Sequence, residues 1–138
     1  SRKIVGHHVH STLQTEEVAI AFKNALKQRK SKLPLIHHSD RGIQYCSSFY
    51  QAIHAKYDVT CSMNHGYGCY QNALVERVNG ILKGEFLLNE PANLAEAKQM
   101  VDESVQIYNQ KCRHLSLKYK TPDAVHQAFF ATKTVNVF

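Results

Sequence analysis

Three side chains in this sequence have the types and spacing for divalent-metal phosphoryl chemistry. Asp40 closes the short run Leu35-Ile36-His37-His38-Ser39 and is followed by Arg41-Gly42. Thirty-five residues separate it from Glu76, and Lys83 lies two helical turns beyond that. A carboxylate at a strand end, facing a carboxylate and a lysine on one helix face, is the set that metal-assisted phosphoryl transfer needs. Hard oxygen ligands of this kind suit Mg²⁺ or Mn²⁺ better than zinc.

The segment from Asn72 to about Leu88 is predicted to be the helix that carries the second half of this set. At about 100° per residue, Glu76, Asn79, Gly80 and Lys83 fall within roughly 100° of arc. Leu74, Val78, Ile81 and Leu82 occupy the opposite side. One face packs, and the other offers a carboxylate, an amide, a gap and an ammonium. A routine amphipathic surface helix has the same pattern. Asp-Arg-Gly after a strand is also common turn chemistry. In open α/β sheets, however, ligands gather at the carboxyl ends of strands, where Asp40 is expected. His37 and His38 precede it. Alternation sends one to the core and one to the other face, in packing roles.

The remaining elements follow from periodicity. Ile4 to His10 is β-branched and weakly alternating, and is predicted to be a strand. Thr15 has N-cap chemistry, with Glu16 and Glu17 well placed against the helix dipole. Val18, Ala21, Phe22, Ala25 and Leu26 recur at helical spacing over residues 16–30. Leu33 to His38 is a short buried strand. Ser48-Phe49-Tyr50-Gln51 resembles a capping box opening a helix to about Tyr57. Val59, Cys61 and Met63 alternate as a strand, and residues 64–71, with Gly66 and Gly68, form a loop. Asn93 with Glu96 caps a helix through Tyr108, and Thr121-Pro122 opens a last helix over 122–131. Strands alternating with helices predict an α/β layered fold.

The chain has 138 residues, enough for one domain with a single core. Seventeen Lys and Arg against eleven Asp and Glu give a net charge of +6, which favours a polyanionic partner. Lys23, Lys27, Arg29, Lys30 and Lys32 form one basic run, and Arg113, Lys118 and Lys120 another. Each reads as a solvated face. Cys46, Cys61, Cys69 and Cys112 show no paired C-x-x-C spacing, which fits reduced thiols in a cytoplasmic protein. No apolar stretch approaches the twenty residues a membrane helix needs.

Taken in order, certain words resemble the catalytic core of bacterial insertion-sequence transposases and retroviral integrases, the DDE superfamily. They are Ser1-Arg2-Lys3-Ile4-Val5-Gly6, His38-Ser39-Asp40-Arg41-Gly42 with Gln44-Tyr45, Ser62-Met63, Cys69-Tyr70 and Asn72-Ala73. Glu76-Arg77, Leu82-Lys83, Tyr108-Asn109, His114, Ser116-Leu117 and Thr121-Pro122 complete the series. The resemblance implies an RNase H-like mixed sheet flanked by helices, spanning residues 1–138 as an integrase-like core. It implies that Asp40 and Glu76 are the second and third carboxylates of a two-metal Mg²⁺ or Mn²⁺ site. It also implies that Lys83 holds DNA phosphate, with Asn72, Asn79 and Arg77 on the DNA side. Tyr67 and Tyr70, in the glycine-bearing loop, would offer stacking platforms, with core packing the equal alternative for Tyr70.

The chain departs from the family pattern in three places. The family's first carboxylate lies on an opening strand ahead of the Ser1-Arg2-Lys3-Ile4-Val5-Gly6 word. The expectation is therefore a core lacking its first strand, without full strand-transfer activity alone. Gln71 stands where relatives commonly have Asp, and the Arg-Pro-His word appears as Cys112-Arg113-His114. An uncovered sheet edge predicts a homo-oligomer. The expected partner is DNA, as transposon ends and target, in a bacterial cytoplasm. The alternatives are a catalytically inactive basic nucleic-acid-binding remnant and a histidine-rich metal-binding protein.

Overall fold

The computed structural model describes residues 1–63 and 73–134, and the chain divides into two compact units. The first, Val5–Asn79, contains the sheet. Helix α1, Thr15–Gln28, has Glu16 and Glu17 in its first turn and Lys27 in its last, matching the helix dipole. Gln14 is the N-cap, so Thr15 opens the helix from inside it, with no side-chain cap bond. Ala19 and Phe22 are buried. Arg29 caps the far end, and its guanidinium donates to the Leu33 carbonyl.

Strand β1, Leu35–Ser39, pairs in parallel with β2, Val59–Met63. Pro34 lacks an N–H and bounds the strand on one side. The register sets His37 against Cys61 and Ser39 against Met63. Strand alternation then separates two faces: Leu35, His37 and Ser39 lie toward the core, while Ile36, His38 and Thr60 are exposed. The crossover holds α2, Ile43–Cys46, and α3, Ser48–Lys56. Ser47 caps α3, its hydroxyl accepting from the Tyr50 N–H at 3.2 Å, so the cap sits one residue ahead of the predicted one. Ala19, Phe22, Tyr50, Ile53 and Val59 form the core, with Val18, Leu26, Leu35 and Tyr45 packed on it.

The second unit comprises Ser1–Ile4 and residues from Gly80 onward. Helix α4, Ala73–Ile81, spans the division and is followed by a π-helical turn, Leu82–Phe86. Helix α5, Leu94–Lys111, is capped by Asn93, whose Oδ1 accepts from the Glu96 N–H at 2.9 Å. The Glu96 carboxylate in turn accepts from the Ala92 N–H at 2.6 Å. Helix α6, Pro122–Thr134, starts after Thr121, whose hydroxyl accepts from the Ala124 N–H at 3.3 Å. α5 packs against α6 and against the π turn. Ile81, Val105, Tyr108 and Pro122 are buried.

The predicted strand over Ile4–His10 is absent: these residues carry no ladder. Side-chain amides take backbone groups at Ile4 and His7 instead. Asn109 accepts from the Ile4 N–H and donates to the Ile4 carbonyl, both at 2.9 Å. Asn24 donates to the His7 carbonyl at 3.2 Å. β-branched composition favours a strand only where a neighbour supplies pairing.

Candidate active site

Asp40 leaves the carboxyl end of β1, and its own side chain fixes the turn that follows. The Gly42 N–H donates to Asp40 Oδ1 at 2.9 Å, an Asx turn that ends the strand and anchors one carboxylate oxygen. Gly42 has φ −55° and ψ 143°, a conformation open to any residue. Space is what selects glycine there. A Cβ would lie 3.0 Å from Asp40 Oδ1 and 3.3 Å from both Gln44 Oε1 and Tyr45 Cδ2.

The turn is tied to its surroundings at several points. Gln44 Nε2 donates to the Leu13 carbonyl at 3.1 Å, and Gln51 Nε2 donates to the Tyr45 carbonyl at 2.7 Å. The Tyr45 phenol titrates above its ordinary range, first because it is buried and then because of the Asp40 charge. Its ring meets Tyr50 edge-on, with centroids 5.2 Å apart. Asp40 itself is exposed.

Behind the strand, His37 is stacked on Phe22 with centroids 4.5 Å apart. Its Nδ1 lies 3.0 Å from His54 Nε2, while His54 Nδ1 lies 3.2 Å from the Tyr50 carbonyl oxygen. A carbonyl only accepts, so His54 carries its proton on Nδ1, and His37 donates to His54 Nε2. Burial first, then His54 and His38, hold the His37 pKa down at about 4. His37 thus packs in the core as predicted, and exposed His38 bonds Ser62 Oγ at 3.0 Å.

Glu76 lies in the first turn of α4 and is exposed, as are Arg77 and Asn79. The apolar stripe predicted on this helix starts later than expected. Leu74 is 49% exposed, Val78 is half-buried and Ile81 is buried. Lys83 is exposed in the π turn and belongs to the second unit. Asn72, Tyr67 and Tyr70 lie outside the described residues.

Asp40 and Glu76 therefore belong to one compact unit, and both are open to solvent. Their oxygens are hard donors that fit Mg²⁺ or Mn²⁺. Among the described residues no three His, Cys, Asp or Glu side chains form a metal-holding group. The Asp-Arg-Gly spelling predicts a turn here, and the structure adds the bond from the Gly42 amide to the Asp40 carboxylate and the nearby Tyr45.

Comparison with known proteins places these features in a family. One Integrase core domain model matches residues 1–69, half of the chain, and a second model of the same description matches residues 57–122. The chain is 33% identical over 129 residues to the Insertion element IS600 uncharacterized 31 kDa protein of Shigella sonnei, covering 92% of this chain and 47% of that protein. It is 36% identical over 125 residues to the Transposase for insertion sequence element IS904 of Lactococcus lactis, covering 88% and 49%. The chain thus spans about half the length of these curated relatives. A chain in the cryo-EM structure of the simian T-cell lymphotropic virus intasome with PP2A regulatory subunit B56 gamma matches 76% of this chain and 37% of its own. The TM-score there is 0.63 at 19% identity, and the fold is RNase H-like. With one match spanning the Asp40 turn and the other the Glu76 helix, the chain belongs to the Integrase core domain family.

Proposed function

We propose that this chain is the part of a transposase catalytic core that contributes Asp40 and Glu76 to metal-dependent cleavage and transfer of DNA strands. The single observation that carries the proposal is the Asp40 turn. There an exposed carboxylate at a strand's carboxyl end has one oxygen fixed by the Gly42 amide. Glu76, exposed in the same compact unit, is the second oxygen donor. The similarity to the Lactococcus lactis transposase supports the same chemistry.

Two divalent cations, Mg²⁺ or Mn²⁺, would supply Lewis-acid polarisation of the scissile phosphate and activation of a water or 3′-hydroxyl. The chain's own residues hold and orient. Asp40 and Glu76 neutralise and fix the cations through carboxylate oxygens. The Gly42 N–H keeps the Asp40 carboxylate from rotating freely. Lys83, Arg77, Asn79 and Asn72 hold phosphate oxygens of the DNA strand by charge and hydrogen bonding. Tyr67 stacks on a base. Pairing of a second copy along an edge of the β1–β2 sheet gives a homo-oligomer.

The test has two readouts. Mn²⁺ titration of the chain, followed by water-proton relaxation, should report binding that Asp40→Asn and Glu76→Gln each abolish. A chain extended ahead of Ser1 by an aspartate-bearing strand should nick DNA in Mg²⁺, and the same two variants should lose that activity. Variants that retain both binding and nicking overturn the assignment. Metal and DNA binding without nicking in the extended chain identifies an inactive nucleic-acid-binding remnant.

A further inference from the structure

Between Ser104 and Pro122 the sequence has four cations, Lys111, Arg113, Lys118 and Lys120, and no carboxylate. All four are exposed. The last three lie in the connection between α5 and α6, where His114 and Lys120 form an antiparallel bridge just after Arg113. The loop is built around buried His114. Its carbonyl accepts from the Leu117 N–H at 3.0 Å and the Tyr119 N–H at 2.9 Å, and its own N–H donates to the Lys120 carbonyl at 3.3 Å. The His114 ring meets Tyr108 edge-on, with centroids 5.3 Å apart.

Within this frame two successive residues are left-handed: Lys118 at φ 53° and Tyr119 at φ 58°. That region is unusual for a lysine and more so for an aromatic residue. Further bonds from the Lys118 N–H to the Leu115 carbonyl at 2.9 Å and from the Lys120 N–H to the Leu117 carbonyl at 3.1 Å hold it. The outcome is exposed apolar surface among the cations. Tyr119 is 66% exposed and Leu115 73%. Burial does not explain a left-handed, hydrogen-bonded loop that keeps an aromatic ring in water. Strain held in this way accompanies function.

We infer that the His114–Lys120 loop is a docking surface for a single nucleic-acid strand, with Arg113, Lys118 and Lys120 on phosphates and Tyr119 stacked on an unpaired base. The chemistry is that of a strand-binding platform: cations for the backbone and a ring face that accepts any base. The basic run is therefore more than a solvated face. The partner's identity rests on the DNA-handling function proposed above, whereas the surface itself uses neither carboxylate.

Fluorescence anisotropy of the full chain with labelled oligothymidylate, a hairpin duplex and heparin, in EDTA and over a range of salt, tests this. Asn tolerates the left-handed region, so Tyr119→Asn should fold and bind oligothymidylate about tenfold more weakly, with heparin binding unchanged. Lys118→Asn with Lys120→Gln should weaken both and reduce the salt slope on oligothymidylate by about 1.4, about 0.7 for each cation. Lys120→Gln alone, outside the left-handed pair, keeps the cation test available should the others melt early. Wild-type affinity and slope in all these variants overturn the surface while leaving DNA binding intact. A parent chain that binds no nucleic acid overturns the partner as well. Loss of heparin and DNA binding together, with Tyr119→Asn silent, marks a general polyanion or acidic-protein surface and overturns the strand-stacking role.

Discussion

The Gly42 amide and the Asp40 carboxylate are joined at 2.9 Å, and an added Cβ on Gly42 would sit 3.0 Å from the bonded oxygen. Glycine thus lets a carboxylate fold back on its own chain while keeping its exposure. Because the backbone at Gly42 suits any residue, Gly42→Ala should alter unfolding free energy by less than about 1 kcal/mol. The carboxylate, however, must give by a few tenths of an ångström. Groups that orient a metal ligand change affinity about tenfold or more when altered. Mn²⁺ affinity of Gly42→Ala should therefore fall by about tenfold, with the melting curve nearly unchanged. Equal Mn²⁺ affinity in the two proteins would sever the turn from the proposed metal role.

His37 gives the Asp40-bearing strand a dependence on pH. Its pKa of about 4 lies below the ordinary 6.5, because burial, then His54 and His38, disfavour its cation. The neighbours facing it are His54 and Tyr50 from α3, Tyr45 from α2 and Phe22 from α1, none of them acidic. Between pH 6.5 and 4 the unfolded chain binds a proton that the folded chain refuses. Stability therefore declines as pH falls through that window and levels off below it. Each pKa unit is worth about 1.4 kcal/mol, and residual solvent contact of the ring reduces the total to about 2 kcal/mol. Urea midpoints across pH should show this slope, flattened in His37→Phe. A slope that persists in His37→Phe assigns it to another group.

Asn109 substitutes for a strand partner at Ile4, and its loss should be costly. Asn109 is buried, and its amide satisfies both backbone groups of one residue. Asn109→Ala leaves the two groups unpaired, at about 1–3 kcal/mol for each that stays dry. With Ile4 only half-buried, a total loss of about 2 kcal/mol is expected. The Ile4 amide should also exchange with solvent faster by at least the same factor. Unchanged Ile4 exchange in Asn109→Ala means that another group takes over the bond.

Much of this was legible in the residues, and the parts that were not share a physical reason. Helices α1, α5 and α6 and strand β2 follow from periodicity, and α5 and α6 from their caps as well, because those signals are local. Asn93 with Glu96 and Thr121 with Ala124 are bonded as their spacing predicts. The Ile4–His10 strand failed because strand formation depends on a neighbour, and here Asn109 and Asn24 take the backbone groups from afar in sequence. The π turn at Leu82–Phe86 likewise has no local signature and follows packing against α5. Of the candidate site, the structure adds that Asp40 and Glu76 are both exposed. The tether on Asp40 required seeing Gly42 as a close contact instead of a flexible joint.

Gly6 makes the complementary case to Gly42. Its Cα approaches α1 so closely that an added Cβ would run into the Ala21 carbonyl oxygen and lie 2.7 Å from the Ala25 nitrogen. Those atoms belong to helix backbone and cannot yield as a side-chain tip does. Ala21 and Ala25, one turn apart, leave the groove that receives the Gly6 backbone. Gly6→Ala must therefore push the segment off the helix, straining the bond from Asn24 to the His7 carbonyl and the 2.8 Å pair of His8 Nε2 with Glu17. Overpacking of this kind costs about 1–3 kcal/mol, and rigid backbone on the far side argues for the upper half of that range. Urea denaturation should show a loss of about 2 kcal/mol or more in Gly6→Ala. The two glycine-to-alanine variants are thus expected to separate, one through stability and the other through metal affinity. A Gly6→Ala protein as stable as the parent would mean that the segment does not lie against α1 in solution.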